Sequence, residues 1–196
     1  MKTFRILGLL ISYPQPEWLQ HVDAFRAVLK EENLLAGKSL AAVLTFLDRL
    51  EKAELFALQE DYVSTFDRGR AHSLHLFEHI HGESRDRGQA MVNLAESYAQ
   101  KGLFIDQSEL PDYLPLFLEF LSCCTQGEAT ELLGEPLEVL SAIGQRLKEK
   151  DSPYAVVFEA LVALSKARPR KAWMDQILAS TPADDSLEAL DREWEE

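Results

Sequence analysis

Among 196 residues there are only two cysteines, nine glycines and eight prolines, and 20 Lys and Arg residues stand against 33 Asp and Glu. Each shortage excludes something. The two cysteines are adjacent, Cys123-Cys124, and vicinal cysteines on a helix point about 100° apart, so they read as packed thiols inside the apolar run LPLFLEFLSCC rather than as a disulfide. So few Gly and Pro disfavour an all-β chain with its many turns and favour helices. A formal charge of -13 opposes non-specific binding to nucleic acid or anionic lipid and attracts a basic partner. The apolar stretch in MKTFRILGLLISYP is too short to span a bilayer and lacks a small-residue cleavage site, which points to a cytoplasmic protein without direct membrane insertion. There is no G-x-S-x-G elbow for nucleophilic hydrolysis. Gly69, Gly82 and Gly88 are spaced too widely for a phosphate-cradling loop.

What is present is helical periodicity. Phe4 to Ile11 is apolar on nearly every side and stops at Tyr13-Pro14; a second helix runs from Pro16 through Trp18, Val22, Phe25 and Leu29 to Asn33. Ser39 is positioned to cap a third, with Leu40, Val43, Leu44, Leu47 and Leu50 on one face, and Leu55, Leu58, Tyr62 and Phe66 continue the period in a fourth. Beyond position 84, Ser84 caps a helix closed by Gly102, Pro111 opens an apolar helix with Leu114, Phe117, Leu118 and Leu121 inward, and Pro136 starts one with Leu137, Leu140, Ile143 and Leu147. Ser152-Pro153 signals the start of a helix to Ala167, and a shorter one surrounds Trp173, Ile177 and Leu178. The expected fold is all-α, one multi-helix domain of nine or ten helices over residues 1–180. An acidic tail follows at 181–196, net -6, with Leu187, Leu190 and Trp194 on one side of a weakly docked helix.

The densest chemistry lies in Asp61 to Met91, DYVSTFDRGRAHSLHLFEHIHGESRDRGQAM, which holds four of the five histidines and alternates Arg with acids around Tyr62, Phe66, Leu74, Phe77 and Ile80. Three functions compete for it. His75-x-x-Glu78-His79 on one helix would place two zinc ligands a turn apart with Glu78 as general base, and Glu83, Glu149 or Glu159 as a further ligand: a small zinc hydrolase. Arg68, Arg70, Arg85 and Arg87 could meet an anion in a nucleotide-responsive regulator, or pair with Asp67, Glu83 and Asp86 to hold a loop. A binding surface uses every residue type at once: the apolar anchors take the greasy side of an amphipathic peptide helix, and Asp67, Glu78, Glu83 and Asp86 meet its basic residues.

The run FDRGRAHSLHLFEHIHGESRDRGQAM resembles the signature of the NarJ-type chaperones, within the wider TorD/DmsD group of redox-enzyme maturation proteins. LLISYPQPEW, ELPDYLPLFLEFL, YAVVFEALVAL and SLEALDREWEE extend the resemblance along nearly the whole chain. The group's Y-x-x-L-F motif falls on Tyr62 to Phe66 with Thr65 in place of Leu. Its E-x-P-D-H motif falls on Glu109, Pro111 and Asp112, with Tyr113 where His is usual. The family pattern usually has an apolar residue where His75 stands, which takes the H-x-x-E-H string out of the shared signature. Many members continue beyond the Trp194-Glu195-Glu196 at the end of this sequence, which leaves open a short natural variant or a truncated chain.

The resemblance implies a non-enzymatic cytoplasmic chaperone that grips the N-terminal segment of the respiratory nitrate reductase catalytic subunit and holds it off the membrane until molybdenum cofactor is inserted. It implies no permanently bound cofactor, and cofactor-biosynthesis proteins are further candidate partners. The peptide-binding set expected from the surface and the motifs together is Tyr62, Phe66, Asp67, Arg70, Phe77, Glu78, His79, Ile80, Glu83, Asp86, Glu109, Asp112 and Tyr113, with a groove lined by Tyr62, Phe66, Phe77 and Ile80. Because His72, His75, His79 and His81 titrate between about pH 5.5 and 7.5, client affinity is expected to vary with pH.

Overall fold

A computed structural model describes residues 1–68, 70–81, 85–106 and 109–180. Within them lie twelve α-helices: α1 (Lys2–Leu10), α2 (Pro16–Leu19), α3 (Val22–Glu32), α4 (Gly37–Lys52), α5 (Leu55–Tyr62), α6 (Glu78–His81), α7 (Arg85–Gln100), α8 (Leu114–Cys123), α9 (Gln126–Leu132), α10 (Leu137–Glu149), α11 (Ala155–Leu164) and α12 (Lys171–Ser180). The one strand-like pairing among the described residues is an isolated antiparallel bridge between His75 and Tyr113. The all-α expectation holds, with more helices than the periodicity gave. Pro16 to Asn33 is divided at Gln20-His21 into α2 and α3, and the short α6 and α9 are additional.

The core forms where apolar helices cross. α8 buries Leu114, Phe117, Leu118, Phe120 and Leu121 and packs on α1, while α11, with Val157, Phe158, Ala160 and Leu161 fully buried, packs on α4 and α10. Each large side chain so buried stabilises the fold by about 1.5–3 kcal/mol before ordering entropy is subtracted. Two crossings depend on glycine. A Cβ on Gly8 would lie 3.1 Å from the Pro115 carbonyl oxygen, and one on Gly144 would lie 3.0 Å from Phe158 Cβ. α1 also borrows its cap: Glu32 at the end of α3 accepts the Lys2 N–H at 2.7 Å, the Thr3 N–H at 2.8 Å and the Thr3 hydroxyl at 2.7 Å.

Helix boundaries obey local hydrogen bonding. Asn33 ends α3 in the left-handed region (φ 47°) and Gly102 follows α7 at φ +79°, both as the sequence suggested. The caps expected from Ser39 and Ser152 are not made. α4 starts at Gly37 with Ala36 in the cap position, so Ser39 lies inside the first turn, and the Ser152 hydroxyl before α11 has no hydrogen-bond partner among the described residues. α8 begins at Leu114 rather than Pro111. Phe66 continues α5 in a widened π-type turn over Val63–Asp67, because the Ser64 and Thr65 hydroxyls both donate to the Asp61 carbonyl, at 2.9 and 2.7 Å, and compete with the α ladder. Of the two thiols expected to pack inside, Cys124 is buried and Cys123 is exposed. The Ser84 cap and the tail helix with Leu187, Leu190 and Trp194 lie outside the described residues.

Candidate functional site

Between α5 and α6 the described segment leaves regular α-helix and is held by its surroundings. The Leu114 N–H donates to the Leu74 carbonyl at 2.8 Å, the Leu76 N–H to the Asp112 carbonyl at 3.0 Å, and Arg146 of α10 donates Nη1 to the Ala71 carbonyl at 2.9 Å. Its centre is the Asp112 side chain, fully buried, with Oδ2 accepting the Phe77 N–H at 3.0 Å. His75 Nδ1 lies 3.5 Å from Asp112 Oδ1, and Arg87 Nη2 lies 3.9 Å from Oδ2 and 3.5 Å from Glu78 Oε1. Glu78 also accepts the Ser73 hydroxyl at 2.5 Å. Burial alone would raise the Asp112 carboxyl, but His75, the Phe77 N–H and Arg87 outweigh it and hold the group below its ordinary value. Asp112 in turn raises His75 against the effect of burial. His79 goes the other way. Burial lowers it, only partly countered by the Ser73 carbonyl 2.9 Å from Nε2.

This network removes the premise of the zinc site. His75 precedes α6 in the extended bridge, so His75 and His79 do not stand a turn apart on one helix, and His75, Glu78 and His79 face Asp112, Ser73 with Arg87, and the Ser73 carbonyl respectively. Glu149 and Glu159, two of the ligands considered, are engaged by Gln145 and Lys148, and Glu83 lies outside the described residues. Of the arginine cluster, Arg87 turns inward to Glu78 and Asp112 and Arg68 and Arg70 are exposed, while the Arg85 side chain is outside the described ones.

Two residues expected to line a groove belong to the core. Tyr62 and Phe66 are 5% and 6% exposed; Tyr62 meets Tyr13 edge-on at 5.5 Å, Phe66 meets Tyr154 at 4.9 Å, and the Tyr62 hydroxyl is 3.4 Å from that of Tyr113. Aromatic pairing within the core accounts for their burial. Phe77 is half-buried against the same core, and Tyr113 is half-buried beside the His75 ring. Asp67, Arg70, Asp86 and Glu109 are exposed, with burial of part of the Asp67 side chain raising its carboxyl.

The concavity lies next to this segment, between α6, the start of α10 and α12, with a volume of about 520 Å³. It is lined by His79 and Ile80 of α6, by Glu135, Glu138 and Val139 at the start of α10, and by Arg170, Trp173, Gln176 and Ile177 at α12. Ile80 is 46% exposed and Trp173 54%, both large apolar groups facing solvent across a hollow. Arg170 lies 4.4 Å over the Trp173 ring and donates Nε to Glu138 Oε1 at 2.8 Å, which outweighs the effect of burial and lowers the Glu138 carboxyl. α12 is fixed by Arg146, whose Nη2 donates to the carbonyls of Ile177 (2.9 Å) and Leu178 (3.2 Å). The same buried guanidinium therefore joins α12 to the Ala71 turn. A smaller hollow of about 280 Å³, lined by Lys101, Cys124, Glu128, Glu131, Leu132 and Glu135, adjoins the first at Glu135.

Of the residues expected to touch a peptide, His79 and Ile80 border the large hollow; Glu135, Glu138 and Trp173, which were not among them, border it as well. The available signal was Trp173 beside Ile177 at helical spacing after a Pro169 break, and acids recurring at 128, 131, 135 and 138. In chemical terms the site sets apolar side chains, Ile80, Val139, Trp173 and Ile177, beside the acids Glu135 and Glu138, a combination that can take an amphipathic basic helix.

Comparison with known proteins agrees in kind. The model of the family described as nitrate reductase delta subunit matches residues 29–160. The nitrate reductase molybdenum cofactor assembly chaperone NarJ of Escherichia coli K12 is 41% identical over 192 residues, covering 97% of this chain and 81% of that protein. The protein named probable nitrate reductase molybdenum cofactor assembly chaperone NarW, from the same strain, is 40% identical over 197 residues, covering 100% and 82%. A Bacillus subtilis 168 protein named as a probable NarJ chaperone is 32% identical over 162 residues, covering 82% and 86%.

Proposed function

This chain belongs to the nitrate reductase delta subunit family, and from that membership we propose that it is an assembly chaperone acting on the molybdenum-cofactor subunit of a nitrate reductase. It binds the N-terminal segment of that catalytic subunit in the cytoplasm and keeps the subunit accessible for cofactor insertion before membrane attachment. The relatives are named as chaperones, not enzymes. Among the described residues, no helix is long and apolar enough to cross a membrane.

One observation carries the choice of binding surface: the exposed apolar side chains of Ile80 and Trp173 line the same hollow as Glu135 and Glu138. An amphipathic helix laid there buries its apolar side against Ile80, Val139, Trp173 and Ile177 and turns its basic residues to the acids. The remaining negative charge of the chain steers such a segment inward. His75, Glu78, Arg87 and Asp112 act one step back, by holding α6, and with it Ile80, in place.

The test is a titration of a fluorescently labelled peptide corresponding to the first residues of the catalytic subunit. Binding that weakens with added salt and is weakened by Ile80→Asp or Trp173→Ala is expected. No binding at protein concentrations on the order of tens of micromolar, an affinity weaker than roughly -6 kcal/mol, would sink the reading.

A further inference from the structure

Resting on the chaperone reading, the charge balance around the two adjoining hollows sets a pattern for the ligand. The hollows meet at Glu135, which borders both. Four acids, Glu128, Glu131, Glu135 and Glu138, follow the rim from one to the other, and two are already neutralised. Lys101 Nζ lies 2.9 Å from Glu128 Oε1, and the Thr125 N–H, Lys101 and the Thr125 hydroxyl together pull the Glu128 carboxyl down to about 2. Arg170 does the same for Glu138 at the far side. Between these pairs stand Glu131 and Glu135, whose side chains make no ion pair among the described residues; burial and then the charge of Glu131 raise the Glu135 carboxyl, the reverse of what the two paired acids experience. Two like charges side by side at the saddle, flanked on one side by Leu132 and on the other by Val139 and Trp173, form a surface completed by a cation carried between two apolar groups.

We propose that the ligand is a helix with an apolar, basic, apolar order along one face, whose Lys or Arg sits on Glu131 and Glu135 while the flanking apolar residues enter the large and small hollows. Other occupants are opposed by charge. Residues 181–196 of this chain carry net -6, and a second copy carries -13. A free divalent ion would satisfy the two acids but leave both apolar hollows unfilled.

The experiment uses the full chain and two amphipathic helical peptides that differ at one position, Lys or Gln, between the apolar residues. Wild type is expected to bind the Lys peptide about fivefold more tightly at low salt, the effect of one partly exposed charge pair. Glu131→Gln with Glu135→Gln should abolish that preference; both residues are exposed, so the fold tolerates the change. Glu17→Gln with Glu60→Gln removes equal charge elsewhere on the surface and should keep the preference. A preference that survives in Glu131→Gln/Glu135→Gln, or is absent from wild type, overturns the saddle while the labelled client segment still binds. If neither peptide nor client segment binds wild type, the saddle and the chaperone reading fall together.

Discussion

Replacing Asp112 by Asn tests whether the signature segment is held by a buried carboxylate. Asn keeps the shape and an acceptor for the Phe77 N–H, at 3.0 Å in the parent, but removes the negative charge that faces His75 at 3.5 Å and Arg87 at 3.9 Å. Breaking a buried ion pair by removing one partner costs about 3–5 kcal/mol. Here the cost falls lower, to about 2–3 kcal/mol, because the side chains of His75 (32% exposed) and Arg87 (21%) regain some water and Glu78 remains beside Arg87. With a urea m-value of about 2 kcal/mol/M, the unfolding midpoint followed by far-UV circular dichroism drops by roughly 1 M. A drop of less than about 0.2 M at neutral pH would refute the role given to Asp112. The pH dependence adds a second arm. His75 has its folded value raised above the ordinary 6.5, so its contribution is complete below about pH 6.5 and is lost as pH rises through the folded value. Asp112 has its folded value depressed, so its share is present above 3.8 and lost as pH falls through the lower folded value. His75→Gln should therefore cost more stability at pH 5.5 than at pH 8; equal costs would remove His75 from the clamp.

Three further outcomes follow from the packing. Arg146→Ala leaves the carbonyls of Ala71, Ile177 and Leu178 without this donor, and should destabilise by about 2–4 kcal/mol in urea titration and make α12 the first site of limited proteolysis. Trp173→Ala, at a side chain 54% exposed, should change stability by less than about 0.5 kcal/mol but weaken client binding by about 2 kcal/mol, roughly thirtyfold in Kd by fluorescence titration. Gly144→Ala, whose new methyl would meet Phe158 Cβ at 3.0 Å, should cost about 1–3 kcal/mol, read as a lowered Tm.

Much of the fold is legible because it rests on local periodicity. Val43, Leu47 and Leu50 on α4, and Leu140, Ile143 and Leu147 on α10, are buried as their spacing requires, and Asn33 and Gly102 end their helices as their conformational preferences allow. The site is less legible, for two physical reasons. In the signature segment, side chains bond to nearby backbone and to each other, so Glu78, His79 and Asp112 could not be divided between client contact and internal support by residue type. The hollow is also built by Ile80, Val139 and Trp173, which come together only through the packing of α6, α10 and α12. Tyr62 and Phe66 show that aromatic residues in a motif can be buried in the core, where Tyr154 meets Phe66.

The most direct measurement is co-purification of the nitrate reductase catalytic subunit with this protein, made with the intact subunit and with one lacking about its first fifteen residues, four turns of helix. Capture of the intact subunit, its loss on deletion, and a matching loss when Trp173→Ala replaces the wild-type chaperone are the predicted results. Equal capture of the intact and shortened subunits would contradict the assignment of the hollow to the N-terminal segment.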